Sequence, residues 1–363
     1  MSSSLGNNLR LTLFGESHGP GIGAVLDGLP SGVPVNAEYV QQELDRRRPG
    51  GNSLGTKRNE ADAVEFVSGV KDGLTSGGPV CMLIRNGDQH SSDYDADLPR
   101  PGHADLAAWY KDGQALDLRG GGRFSGRITA GTVAAGAIAR SVLERRGVEI
   151  GAHLLSVAEI RDDRFPQNPS AESLRALRRM AVPTINETKT SEMAAVIEAA
   201  RAQQDSVGGV IEVIATGFPA GVGEPPFDSL ESSLAQAVFG VPGVKALEFG
   251  LGLGFATAKG STANDPIGLV DGQPRPLGNN SGGINGGISN GNPILFAATF
   301  RPTASISLPQ KSVRLSTLKE ETIVVKGRHD PCILPRAVPV LEAVTALVLL
   351  DSLLEAEGKA WLS

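Results

Sequence analysis

Glycine is the residue that most limits what this chain can become: 46 of its 363 positions are glycine, while aromatic residues supply only 4%. Glycine loses more backbone freedom on ordering than any other residue and weakens helix and strand interiors. So many of them imply loops where the backbone turns tightly or lies close against a ligand. They gather in Gly15 to Gly23, at Gly50-Gly51, at Gly120-Gly121-Gly122, in Gly250 to Gly254 and in Gly282 to Gly291.

Between those loops there is enough apolar chain for a core, since 40% of residues are hydrophobic and 20% charged. A chain of this length can fold as one large domain or two smaller ones. With no internal repeat or disordered linker visible, we read a single catalytic domain over 1–363. Cys81 and Cys332 are too few and too far apart for a disulfide framework or a zinc site, and are expected as buried thiols with no metal. A net charge of −6 without a basic tract argues against nucleic acid. The N-terminal MSSSLGNNLRLTLF has neither a secretory nor a mitochondrial pattern, so a cytoplasmic location is expected. The most apolar stretch, Ala337 to Leu354, is interrupted by Pro339, Glu342, Thr345 and Asp351 and reads as a buried helix, not a membrane span.

Alternation over Leu9 to Phe14 predicts a strand running into the loop GESHGPG, with a second strand over Ile22 to Leu26. Asn36 can cap a helix AEYVQQELDRRR, with Val40 and Leu44 on one face. Arg46, Arg47 and Arg48 close that helix, and its charged end is open to two readings, solvated or ligand-facing. Strands are expected at Val64 to Val67 and Val80 to Ile84. A long loop from Asn86 to Gly122 follows, then an alanine-rich helix from Thr129 to Arg146, where the preceding glycines suggest an anion site. Helices near Ser170 to Met180, Ser191 to Gln204 and Ser229 to Val238 follow, the last with Asp228 and Glu231 at capping-box spacing. Strands are expected at Val210 to Thr216, Ala246 to Phe249, Leu295 to Phe300 and Thr322 to Val325, and a C-terminal helix after RHDPCILP. This mixed order, without βαβ alternation, indicates an α+β fold.

GESHG matches the G-x-S-x-G nucleophile elbow, but Ser17 follows at most one strand, too few to build the sheet an elbow serine needs. GPGIG and GLGLG open no convincing helix in a βαβ unit, so a dinucleotide fold is set aside. What remains is a set of glycine loops bearing His18, His103, Arg47, Arg123, Arg301 and Arg328. Histidine moves protons near neutral pH and arginine clamps phosphate and carboxylate, so the set suits acid-base work on an anion. His90 and His153 lack such company and read as structural or surface residues, and His329 is left open.

GESHG, DRRRPG, RPGHADL, GGGRFSGR, VKALEFG, SGGINGGISNG, FRPTASI and KGRHDP stand here in the order found in chorismate synthases. The chain resembles that family from about Leu5 into the C-terminal helix. The resemblance implies a β-α-β sandwich with a helical core between antiparallel sheets, assembled as a homotetramer. It implies a carbon-oxygen lyase that converts 5-enolpyruvylshikimate 3-phosphate to chorismate and phosphate by 1,4-elimination, the last common step toward aromatic amino acids. It also implies reduced FMN as cofactor despite no net redox change, since a reduced flavin can lend electron density and recover it.

Carried over by residue, the resemblance implies that His18 protonates the departing phosphate, with Ser17 in support. His103 would partner the flavin N1 region, and Asp330 would help to deprotonate flavin N5. FMN is expected at Arg123, Phe124, Ser125, Pro242, Gly243, Gly286, Arg301, Pro302, Thr303, Ala304, Ser305 and Arg328. Arg47 matches an arginine for substrate or NADPH, the latter a candidate reductant. Many relatives carry serine where Phe124 stands, so only a backbone contact is expected there. A second family arginine aligns with Ser53 or its neighbours and is not placed here, and with no recognisable reductase domain an external reductant is expected.

Overall fold

The computed structural model describes residues 3–50, 60–87, 95–113, 117–270, 272–326, 329–358 and 361–362. The first sheet orders its strands Ser4–Leu5, Arg10–Gly15, Gly21–Asp27, Val80–Arg85 and Val64–Ser68, every neighbour antiparallel. Register places Leu11 opposite Leu26 and Ala24 opposite Met82, so the period-2 alternation turns one apolar face inward. The second sheet runs Ile160–Arg161, Glu149–Val157, Gly209–Thr216, Ile294–Phe300 and Val244–Phe249, also antiparallel.

Helices fill the space between the sheets. Thr129–Arg145 packs on the first sheet and on the C-terminal helix Leu334–Glu357, which in turn lies on Glu149–Val157 and Gly209–Thr216. Ala37–Arg47 joins both helices. The α+β sandwich with a helical layer between antiparallel sheets is therefore the observed architecture. Two glycines set its spacing: a Cβ at Gly131 would lie 2.7 Å from the Gly23 carbonyl oxygen, and one at Gly136 would lie 2.4 Å from the Ala343 Cβ. Leu334–Glu357 is long and apolar enough to cross a membrane by composition, yet 89% of its most apolar window is buried inside the protein.

Polar groups inside this layer are paired. Arg140, 2% exposed, meets Glu342 at 3.1 Å and Glu43 at 3.3 Å, and Arg46 reaches the same two carboxylates at 2.5 Å each. Burial pushes the Glu342 carboxyl up, but Arg46 and Arg140 outweigh it and hold the group at about 2. The three arginines that close Ala37–Arg47 thus part company. Arg46 turns to the core carboxylates, Arg47 is buried toward the cavity described below, and Arg48 is the most exposed of the three, beside Asp45. Successive helical residues point about 100° apart, which is why one run serves three environments.

Several expectations need correction. The Asn86 to Gly122 segment contains a helix, Asp105–Asp112, whose N-cap Ala104 offers no side-chain cap. Glu149–Val157, central to the second sheet, is absent from the sequence reading because it is buried almost throughout and shows no alternation. Ser229, not Asp228, caps Leu230–Phe239, accepting from the Ser232 amide at 3.1 Å. The C-terminal helix starts at Leu334, before Pro335, which occupies its first turn. Cys332 is buried as expected, which pushes its thiol up to about 12, but Cys81 is only half-buried.

His153 sits fully buried in Glu149–Val157, with Asp162 3.1 Å from Nδ1 and Glu212 3.1 Å from Nε2. Burial disfavours its charge, but the two carboxylates win and raise its pKa. Its role is structural, tying two strands and the 162–165 segment together. His90 lies outside the described residues.

Candidate functional site

A cavity of about 670 Å³ opens where helix ends converge. The N-termini of Thr129–Arg145 and Leu334–Glu357 reach it, as does the C-terminal turn of Ala37–Arg47 at Arg47. Loops at 100–104, 120–127, 239–245, 301–305 and 329–330 complete the wall. Helix N-termini present unpaired N–H groups and positive dipole ends, which favour anions. The lining carries Arg47, Arg100, Arg123, Arg127, Arg301, Arg336 and Lys245 against the carboxylates of Glu60 and Asp330.

The densest cluster surrounds Arg47, 3% exposed. Its NH1 donates to Asp62 at 2.7 Å, its Nε to Thr129 at 3.3 Å and its NH2 to the Gly126 carbonyl at 3.3 Å. Arg127 also donates to Asp62, and pairs with Glu60 at 3.1 Å. Asp62 holds this shared position with φ +47, a left-handed backbone that a non-glycine residue adopts at a cost of about 1–3 kcal/mol. Burial, then the neighbouring Arg336 and Arg127, push the Arg47 pKa down to about 9 despite Asp62. The depression comes first from burial of the cation, a cost that an incoming anion would offset.

The glycine run 120–122 brings the two candidate histidines together. All three residues have positive φ, Gly120 at +61, Gly121 at +88 and Gly122 at +52. A Cβ on Gly120 would lie 2.3 Å from His18 Nε2, and one on Gly121 3.2 Å from His103 Nε2. His103 lines the cavity. His18 and Ser17 are not on its wall but lie against Gly120, which is. The Ser17 hydroxyl is buried with no hydrogen-bond partner among the described residues, and its amide donates to the Gly122 carbonyl at 3.2 Å. Ser17 lies in a turn between neighbouring antiparallel strands, Arg10–Gly15 and Gly21–Asp27, with no helix after it, so the nucleophile elbow is absent.

The expected flavin residues mostly share this wall. Arg123 pairs with Asp112 at 2.7 Å and lies over the Phe124 ring, 5.0 Å from its centroid. Ser125 accepts from the Arg127 amide at 3.3 Å. Gly243, after Pro242, accepts at its carbonyl from the Arg301 amide at 2.9 Å, while the Arg301 guanidinium donates to the Gly102 carbonyl. Pro302, Thr303, Ala304 and Ser305 follow along the wall, and the Thr303 hydroxyl is buried with no partner among the described residues. Asp330 accepts from Arg336 NH1 at 2.5 Å, and Arg336 Nε donates to the Arg47 carbonyl at 2.9 Å. His329 also lines the cavity, with Nε2 3.0 Å from the Lys326 carbonyl.

One expected flavin residue does not join them. Gly286 lies in the two-residue turn of the Ile284–Asn285/Ile288–Ser289 hairpin with φ +61, and is not on the cavity wall. Glycine there answers the turn's backbone demand. Arg328 and the Ser53 region lie outside the described residues. Sequence reasoning in turn passed over Arg100, Asp105 and Arg127, though each stands inside a quoted motif, and Arg336, which no motif signalled.

An antiparallel sandwich with a cationic cavity at its helix ends, flanked by two imidazoles, defines a protein built to hold a polyanion beside acid-base groups. Comparison with known proteins is specific. The chorismate synthase family model matches residues 9–354. Chorismate synthases of Methanocella arvoryzae and Korarchaeum cryptofilum are each 46% identical, covering 97% and 96% of this chain and 94% and 96% of their own lengths. That of Dehalococcoides mccartyi is 43% identical over 98% of both chains. A crystal structure of chorismate synthase superposes with a TM-score of 0.77 at 29% identity, covering 97% of this chain and 94% of the other. The chain belongs to the chorismate synthase family.

Proposed function

We propose that this chain eliminates phosphate from 5-enolpyruvylshikimate 3-phosphate to give chorismate, with reduced FMN bound in the same cavity. The observation that carries the proposal is the cationic lining of the cavity, where arginines and Lys245 outnumber the carboxylates Glu60 and Asp330, set beside His103 and the close approach of His18 to Gly120. The site fits a flavin and a three-fold acidic substrate in kind: arginines for phosphate and carboxylates, glycine backbone for a flat ring, and on the wall the Thr303 hydroxyl, which has no hydrogen-bond partner among the described residues. When bound, reduced flavin supplies electron density that an elimination at an unactivated C–H bond needs and that returns afterwards.

The parts assigned to single residues are those the family resemblance implies, set against their places in this cavity. Arg47 and Arg127, fixed by Asp62, hold an anionic group of the substrate, and Arg47 is also the point where NADPH would bind if it serves as reductant. As the C–O bond breaks, phosphate leaves with the electron pair, and His18, held against the lining residue Gly120, gives it a proton. Arg123, Phe124, Ser125, Pro242, Gly243 and the run Arg301 to Ser305 form the flavin wall, and His103 faces it. Asp330 is poised to accept a proton once its pairing with Arg336 loosens. A cytoplasmic setting, an external reductant and a homotetrameric assembly complete the proposal.

Calorimetric titration with FMN, with and without substrate, tests the site itself. Saturable binding that weakens at least tenfold in Arg301→Ala is expected, because the change leaves an anionic group short of a partner. Failure of FMN to bind in either condition would remove the flavin reading.

A further inference from the structure

The segment Arg100-Pro-Gly-His103-Ala-Asp105 folds back on its own carboxylate. Asp105, buried at the start of Asp105–Asp112, accepts from the Arg100 amide at 3.1 Å, from Arg100 Nε at 2.7 Å and from Arg100 NH2 at 2.8 Å. Its Oδ1 also lies 2.6 Å from His103 Nδ1, and Arg100 NH2 lies 3.0 Å from the same ring nitrogen. These contacts allow one tautomer. Were Nδ1 bare, its lone pair would face a carboxylate oxygen at 2.6 Å, whereas with a proton there it donates to Asp105. Arginine only donates, so its contact with a protonated Nδ1 is proximity, and both donors converge on one carboxylate.

Asp105 is suited to that load. Burial raises its pKa, but hydrogen bonds from Arg100 and His103 outweigh burial and hold the group well below the usual carboxylate range. It is therefore an ionised acceptor wherever the protein is folded near neutral pH. Arg100 NH1 in addition donates to Ser305 at 3.2 Å, so the same arginine joins the histidine's support to the wall formed by 301–305.

We infer that Asp105, held by Arg100, is a positioning residue that fixes His103 as the Nδ1–H tautomer with Nε2 turned to the cavity beside Gly121. His103 then offers a lone pair at Nε2 when neutral and an N–H donor when an anionic ligand draws a proton to the ring. Histidines whose second nitrogen is pinned in this way keep both orientation and tautomer through turnover. The part His103 plays toward flavin rests on the proposal above, but its tautomer does not.

The test separates the two. In the unmodified protein, with histidine nitrogens labelled, the ¹⁵N spectrum of His103 should show a protonated Nδ1 and a bare Nε2. The signal is identified by its loss in His103→Gln. An Nε2–H tautomer would overturn the inference whether or not the protein makes chorismate. Asp105→Asn should lower kcat by about 10- to 100-fold with substrate KM changed less than threefold, and mix the tautomers, while Asp105→Glu restores part of both. A normal kcat with the wild-type tautomer in Asp105→Asn would also overturn it. If that variant fails to fold, the wild-type spectrum alone decides.

Discussion

Gly120→Ala tests how closely the glycine turn and His18 are matched. The new Cβ would stand 2.3 Å from both Cδ2 and Nε2 of His18 and 2.9 Å from the Ser17 hydroxyl, where ordinary contact begins at 3.4 Å. The imidazole must retreat by about 1 Å or the turn must open, and a misplacement of about 1 Å can cost about 10²-fold in rate. That loss corresponds to about 2.7 kcal/mol of transition-state stabilisation. The backbone adds its own cost, since φ +61 is unfavourable for alanine by about 1–2 kcal/mol. Gly147→Ala separates the two effects: it carries φ +76 at the end of Thr129–Arg145, and a Cβ there meets nothing within 4 Å. Phosphate release and chorismate absorbance, followed with reduced FMN, should fall about 10²-fold for Gly120→Ala and stay near wild type for Gly147→Ala, with similar losses of thermal stability. Turnover of Gly120→Ala within threefold of wild type would refute the claim that His18 acts across Gly120.

Other consequences are independent of that turn. His18→Ala and His103→Ala should each reduce turnover by about 10²- to 10⁴-fold with the circular dichroism spectrum unchanged, and near-normal rates in both would end their assigned roles. Glu342→Ala leaves Arg140 and Arg46 short of a buried carboxylate and should cost about 3–5 kcal/mol in urea unfolding, whereas a loss below 1 kcal/mol would mean the network is solvated. His153 has a folded pKa raised above its unfolded value, so its pairing with Asp162 and Glu212 contributes fully below about pH 6.5 and fades as pH rises through the folded value. The stability gap between wild type and His153→Asn should accordingly narrow on the alkaline side, and a gap that widens there would contradict the charged pairing.

Local signals were legible where one residue decides one structure. Asn36 caps Ala37–Arg47 through its side chain, accepting from the Tyr39 amide at 3.0 Å, and alternation over Leu9 to Phe14 does mark a strand. The signals failed where burial is two-sided or where tertiary contacts set the outcome. Glu149–Val157 has no polar face to betray its period, and the ends of Arg46 and Arg47 are chosen by Glu342 and Asp62, distant in sequence. The cavity's basic character could be read from arginines in glycine-rich motifs, but the hydrogen bonds that organise them could not. Nothing local distinguishes Gly286, which serves a hairpin, from Gly120, which serves a histidine.

The most direct measurement mixes the protein anaerobically with 5-enolpyruvylshikimate 3-phosphate and chemically reduced FMN, with oxidised FMN as control. Chorismate and phosphate appearing together, only with the reduced flavin, is the result this account predicts. A folded sample that binds FMN and yields neither product would contradict it.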